Sequence, residues 1–178
     1  LQTDQIEGAF VPNTYSLPRG ITEKMAMKIL LSESSSQMKN FSIKIFGTYN
    51  EKKWLHFVTI ASIIQKESAT IEEMPLVSSV IYNRIKKDMK LQMDGTLNYG
   101  QYSHVRVTSK MIKEDRSMYN TYLHSGIPEA PVCNVSFDAI KAAIFPAQTD
   151  YLYFVKSKNG THTFSRNYST HLANIKGA

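Results

Sequence analysis

The sequence predicts an α-rich α+β fold, and three observations carry that prediction. The stretch from Phe57 to Ser68 is apolar almost all the way round at helical spacing, which suits a helix enclosed by other elements. Two later stretches, one opening at Pro75 and one behind Ser136, carry a one-sided apolar stripe after a helix-start residue. Residues 151–155 and 161–165 are rich in aromatic and β-branched side chains and flank Asn159-Gly160, the pattern of a β-hairpin. Several helices followed by one late hairpin make an α+β domain, here read as a single unit over residues 1–178.

In chain order, residues 6–15 are broken by Gly8 and Pro12 and read as an extended or looped segment. Thr22 is a candidate N-cap for a helix carrying Met25, Ile29 and Leu30, with Glu23 suited to the first-turn dipole. The polar run at 32–36 is expected to weaken or end that helix. Asn50 caps the central helix, with Glu51 in its first turn and Trp54 as its first large apolar residue. Pro75 then opens a helix whose stripe is Leu76, Val77, Val80, Ile81 and Ile85, and the two should pack together. Residues 91–100, with Asp94-Gly95, read as a loop or broken helix. Thr108 or Ser109 can start a short helix, residues 119–122 look extended, and Gly126-Ile127-Pro128 marks a turn. Ser136 caps a helix bearing Phe137, Ile140, Ala143 and Ile144 that stops near Pro146.

Within the central helix, Glu67 follows Ile63 by four positions and Ile64 by three, so its carboxylate leaves the face that those isoleucines bury. Buried carboxylates are costly and are usually paired or given a chemical task. Periodicity leaves two readings open: a surface or ion-paired Glu, with Arg84 of the next helix as the obvious partner, or a functional acid.

Composition narrows the partners. The 178 residues hold 21 Lys and Arg against 15 Asp and Glu, a net charge of +6 that favours an anionic partner. The lysines are scattered and no nucleic-acid motif is present, which argues against nucleic acid. One cysteine allows no internal disulfide. The five histidines lack metal-ligand spacing and one thiol cannot complete a zinc site, so neither a metal nor another cofactor is expected. No apolar run is long enough to span a bilayer. The chain starts at Leu1 without a signal-like segment, and the expectation is a processed or shortened chain. Gln, Asp, Asn and Tyr are gathered in the loops around 91–100 and 119–122. Amides bind sugar hydroxyls and ring faces stack on sugar C–H surfaces, so this composition suits a carbohydrate groove; Tyr99, Tyr119 and Tyr122 serve equally as half-buried core residues.

An ordered set of motifs runs through nearly the whole chain. It comprises Glu7-Gly8 with Pro12 and Thr14-Tyr15, Ala61-Ser62-Ile63-Ile64-Gln65-Lys66-Glu67-Ser68, Pro75-Leu76-Val77, Tyr82-Asn83-Arg84 and Leu91-Gln92-Met93-Asp94. Tyr119-Asn120-Thr121-Tyr122, Gly126-Ile127-Pro128, Tyr151-Leu152-Tyr153-Phe154-Val155 and His162-Thr163-Phe164-Ser165 complete it. No one motif is specific, but together they resemble the catalytic domain of the MltG/YceG-like endolytic murein transglycosylases. The resemblance implies a lysozyme-like fold, a peptidoglycan glycan substrate and Glu67 as the catalytic acid, with Ser68 similar to the second residue of the Glu-Ser pair of other lytic transglycosylases. It implies that Asp94 shapes its loop with Gln92, and we assign Gln92, Tyr99, Asn120 and Tyr122, with Ser68 and Asp94, to the substrate site, the first four to holding sugars. It also implies a membrane helix and a LysM-like portion before Leu1, a location on the periplasmic or cell-wall face of the cytoplasmic membrane, and cell-wall synthases as conceivable partners. The chain departs from the pattern at Gln65, where the family usually has Glu, and at Gly95, where it usually has Pro. Its 128–136 loop also lacks the usual Pro-Gly run.

The chemistry sets a physical demand. Cleaving the β-1,4 bond after N-acetylmuramic acid requires a proton on the glycosidic oxygen as positive charge grows at C1. Keeping a Glu neutral for that task near neutral pH costs about 2.7 kcal/mol relative to a free side chain. A helix C-terminus supplies only about 0.3–1 kcal/mol of this, so burial must supply most of it. A lytic transglycosylase needs no second carboxylate, because the sugar's own 6-hydroxyl closes a 1,6-anhydro ring. A muramidase would need one, with Asp94 the candidate, and a non-catalytic glycan-binding module would need neither.

Overall fold

The computed structural model describes residues 6–103 and 105–177. The first helix, α1, spans Glu23–Phe46 and starts where Thr22 Oγ1 accepts the Met25 N–H. The polar run at 32–36 neither weakens nor ends it. Ser34 there is fully buried, and its hydroxyl accepts the Val11 N–H at 3.2 Å and pairs with the Tyr15 hydroxyl at 2.8 Å. Ser34 is where the segment 11–15 lies against the helix, so tertiary contacts override the weak helix preference of the run. The helix ends at Gly47, in the left-handed region, with the Gly47 N–H on the Ile43 carbonyl.

Helix α2, Glu51–Glu67, is the axis of the core. Asn50 Oδ1 caps it through the Lys53 N–H at 2.8 Å, and Trp54 and every residue from Val58 to Ile64 is buried. Ile60, Ile63 and Ile64 are wholly enclosed, each contributing about 1.5–3 kcal/mol by burial. The helix packs chiefly on α6 (Phe137–Ile144), capped by Ser136 as expected, and on α3 (Met74–Lys86), with Pro75 in its first turn. Gly8 shows how tightly the N-terminal segment lies against this core. It has φ +77°, and a Cβ there would stand 2.8 Å from both Val58 Cγ1 and Pro131 Cγ.

Between α3 and α6 the chain is short and irregular. The stretch expected to be a loop or broken helix holds a single turn, α4 (Asp94–Leu97), followed by a 3₁₀ turn at Gly100–Tyr102. Thr108 caps α5, Ser109–Glu114. Residues 118–123 form turns rather than the extended strand that their aromatic content suggested. The Asn120 side chain reaches back to the end of α5 and fixes the bend.

Strands β1 (Tyr153–Lys156) and β2 (His162–Ser165) pair antiparallel, with Tyr153 opposite Ser165 and Lys156 opposite His162. This is the late hairpin, and with the helices it makes the fold α+β. It is tied to α3 by two side chains. Asn83 Nδ2 donates to the Thr149 and Tyr151 carbonyls, and Arg84 donates to the carbonyls of Leu152 and Leu91. A last helix, α7 (Tyr168–Gly177), buries none of its residues, and Tyr168, Leu172 and Ile175, at i, i+4 and i+7, stand exposed on it.

Candidate active site

Glu67 is the last residue of α2, and Ser68 caps the helix. The end of a buried helix is thus aimed at the loop carrying α4, and the closest approach is through Gly95. Its N–H donates to Glu67 Oε1 at 2.7 Å. A Cβ at position 95 would sit 2.7 Å from that oxygen and 2.9 Å from Lys66 Cβ, so only glycine lets the backbone come this near. Gly95 also brings an N–H that Pro at this position would lack. Glu67 Oε2 accepts no hydrogen bond among the described residues.

The carboxyl of Glu67 is held above its usual range. Burial is the main cause; the Gly95 hydrogen bond pulls the other way, the Asp94 charge pushes further up, and His162 and Lys66 pull down. Lys66 offers little compensation because its ammonium is turned to the Asn98 carbonyl. Arg84, the partner that spacing offered for Glu67, does not pair with it. It is 8 % exposed, and its guanidinium is spent on backbone carbonyls that hold residues 91 and 152.

Asp94, exposed at the start of α4, accepts the Tyr122 hydroxyl on Oδ1 at 2.5 Å. Burial raises the Tyr122 phenol, helped by that hydrogen bond and by the charges of Asp94 and Glu67, so the hydroxyl remains a donor. Glu67, Ser68, Asp94, Gly95 and Tyr122 thus form one neighbourhood. Ser68 Oγ is buried and has no hydrogen-bond partner among the described residues. Gln92 is exposed, in the left-handed region at φ +50°, and its N–H is held by the Thr121 carbonyl at 3.1 Å. The rings of Tyr99 and Tyr119 lie 4.5 Å apart, and burial with the neighbouring Tyr99 pushes Tyr119 up to about 12.

Asn120 requires a correction. It is fully buried; Nδ2 donates to the Ile112 and Asp115 carbonyls, and Oδ1 accepts the Tyr122 N–H at 3.1 Å. With both ends of the amide engaged it serves Tyr122 through the backbone and has no group left for a sugar. Gln65, where the family usually has a second Glu, accepts the Ser136 N–H at 3.1 Å and so belongs to the α2–α6 junction.

Sequence reasoning missed one pair beside this neighbourhood, Glu73 with His162. Glu73 Oε1 accepts the His162 backbone N–H at 2.6 Å, and Oε2 lies 2.8 Å from His162 Nδ1. The partners stand 89 positions apart, so no local spacing signals them.

Known proteins resemble this chain in sequence and in fold. A model of the YceG-like family matches residues 1–177. The chain is 32 % identical over 168 residues to an endolytic murein transglycosylase of Bacillus subtilis, covering 93 % of this chain and 46 % of that protein. It is 31 % identical over 180 residues to an endolytic murein transglycosylase of Streptococcus pneumoniae, covering 96 % of this chain and 32 % of the other. The chain therefore spans less than half the length of these relatives. The fold superposes on the crystal structure of a YceG-like protein of Listeria monocytogenes with a TM-score of 0.83 at 30 % identity, covering 94 % of this chain and 55 % of that one. With the family pattern running from end to end and the fold matched over nearly all its length, this chain belongs to the YceG-like family.

Proposed function

We propose that this chain is the catalytic domain of a lytic transglycosylase that cuts the β-1,4 bond between N-acetylmuramic acid and N-acetylglucosamine in peptidoglycan strands, leaving 1,6-anhydro-N-acetylmuramic acid ends. One observation carries the reading: a single carboxyl, Glu67, ends a buried helix with one oxygen anchored by the Gly95 N–H and the other unengaged, and burial pushes it above the usual carboxylate range. The names of the relatives, endolytic murein transglycosylases, support this substrate and an endolytic mode.

Glu67 acts twice. With Oε1 anchored by the Gly95 N–H, the proton rides on Oε2 and passes to the glycosidic oxygen as the C1–O bond breaks. The N-acetylglucosamine of the next unit leaves with a free 4-hydroxyl. The muramic 6-hydroxyl then attacks C1, and the Glu67 carboxylate takes its proton, which restores the acid. Water is not consumed, so the product is one water lighter than the product of hydrolysis. The ring closure is intramolecular and so needs no second carboxylate to activate a nucleophile.

Asp94 and Tyr122 form the polar wall beside the acid, with the Asp94 charge favouring protonated Glu67. Ser68, Gln92 and Tyr99 are assigned to the glycan groove: Ser68 brings an unpartnered hydroxyl, Gln92 an exposed amide and Tyr99 a ring face. No helix among the described residues is long and apolar enough to cross a membrane, so attachment at the cell-wall face of the cytoplasmic membrane would come from a segment outside this chain. Synthases of the same wall are partners consistent with that location.

Mass spectrometry of digested sacculi tests the reading. The chain is expected to release anhydro-muropeptides, and Glu67→Gln none. Reducing ends from the wild type would make it a muramidase with Asp94 as second carboxylate. Binding without cleavage by the wild type would make it a glycan-binding module.

A further inference from the structure

The Glu73–His162 pair is built more firmly than a surface contact needs. Glu73 lies just before α3, and His162 opens β2. The Glu73 carboxylate accepts three donors: the His162 N–H at 2.6 Å, His162 Nδ1 at 2.8 Å and the Ala69 N–H at 3.1 Å. Its side chain is 9 % exposed and that of His162 10 %. Phe154 and Phe164 pack edgewise on the imidazole and fix its rotation. Against the upward pull of burial, the His162 and Ala69 hydrogen bonds hold the Glu73 carboxyl below the usual range, so it remains an acceptor.

This geometry sets the tautomer. An ionised Glu73 requires the proton on Nδ1, which leaves Nε2 as the ring nitrogen available to another group. No described residue supplies a partner for Nε2. The pair is also next to the proposed acid. Ala69, which donates to Glu73, is two residues beyond Glu67, and the imidazole lies within electrostatic reach of the Glu67 carboxyl. A histidine held at its backbone N–H, at Nδ1 and on its ring faces, with one nitrogen left over at the edge of a reactive site, has the form of a prepared ligand contact.

We propose that His162 is a substrate-contacting residue of the Glu67 site, its Nε2 forming a hydrogen bond with a sugar hydroxyl or acetamido group, and that Glu73 is the positioning residue that fixes the ring. The inference rests on the glycan-cleaving reading above and adds a contact to it.

Two substitutions separate a contact from a structural staple. Asn at 162 can keep a donor near the position of Nδ1 and lacks any atom at Nε2. Gln reaches the Nε2 position and gives up the Nδ1 bond. His162→Asn is expected to keep the wild-type melting temperature while kcat/KM on peptide-free glycan strands falls about ten-fold, mainly through KM. His162→Gln is expected to melt lower and yet recover part of that loss. A staple alone predicts that activity follows stability in both variants, and that result overturns the proposal. A direct readout uses Glu67→Gln, which holds glycan uncut. On titration with peptide-free strands the His162 imidazole ¹⁵N resonances should move together with the Tyr122 ring resonances. Movement of Tyr122 without His162 overturns this inference and leaves the glycan reading standing; no movement at either residue overturns both.

Discussion

Gly95→Ala is the substitution whose effect the structure prescribes most closely. The added methyl would stand 2.9 Å from Lys66 Cβ, about 0.6 Å inside ordinary carbon–carbon contact, and 2.7 Å from Glu67 Oε1. Lys66 Cβ is fixed in the last turn of α2, so the strain falls on the Glu67 carboxyl or on α4. Either response breaks the Gly95 N–H bond, worth about 1 kcal/mol to a neutral carboxyl and up to about 3 to an ionised one. Overpacking adds about 1–3 kcal/mol. A total of about 2–4 kcal/mol lowers the melting temperature of a chain this size by roughly 5–15 °C. Moving the acid by about 1 Å is expected to cost roughly 100-fold in turnover of sacculi, measured by release of soluble muropeptides. Loss of the bond also removes the influence that pulls Glu67 down, so its titration midpoint should rise. A Gly95→Ala chain with wild-type melting and wild-type turnover would refute the claim that this backbone approach positions Glu67.

Glu67→Gln should be inactive and yet more stable at neutral pH. A carboxyl whose pKa is raised on folding takes up its proton more tightly in the native state, so its ionisation destabilises the fold as pH rises from the unfolded into the folded value. The melting temperature advantage of the Gln variant should therefore grow from acid to neutral pH, and thermal scans across that range check it. Asp94→Asn removes a charge that raises Glu67, so the alkaline limb of the pH–rate profile should move to lower pH; a shift the other way contradicts the assignment. Ser34→Ala strips the acceptor of the Val11 N–H and the partner of the Tyr15 hydroxyl, and should cost about 1–3 kcal/mol in denaturant unfolding with little effect on kcat.

What could be read from the sequence was what local rules govern. The caps at Thr22, Asn50 and Ser136, the buried all-apolar α2 and the hairpin all depend on neighbours within a few positions, and each stands where those rules put it. The failures share the opposite cause. The 32–36 serines stayed helical because Ser34 meets Val11 and Tyr15. The same division runs through the candidate site. Helical periodicity gave the place of Glu67 at the end of a buried helix, but the Gly95 contact is set by how α4 docks on α2. Arg84 and Asn120 looked like a salt-bridge partner and a sugar ligand by residue type. Both turned out to satisfy backbone carbonyls that only the folded chain brings to them. Glu73 and His162 meet across most of the core sequence, and their chemistry is legible only once α3 and β2 are side by side.

Glycan cleavage by this chain turns on one carboxyl being kept protonated. The most direct measurement is the ¹³C NMR titration of the Glu67 side-chain carboxyl, assigned by its loss in Glu67→Gln. The midpoint is expected well above that of a free glutamate, on the same side as burial and Asp94 push it. A Glu67 curve with the midpoint of a free glutamate would leave no proton for the glycosidic oxygen near neutral pH and would contradict the account.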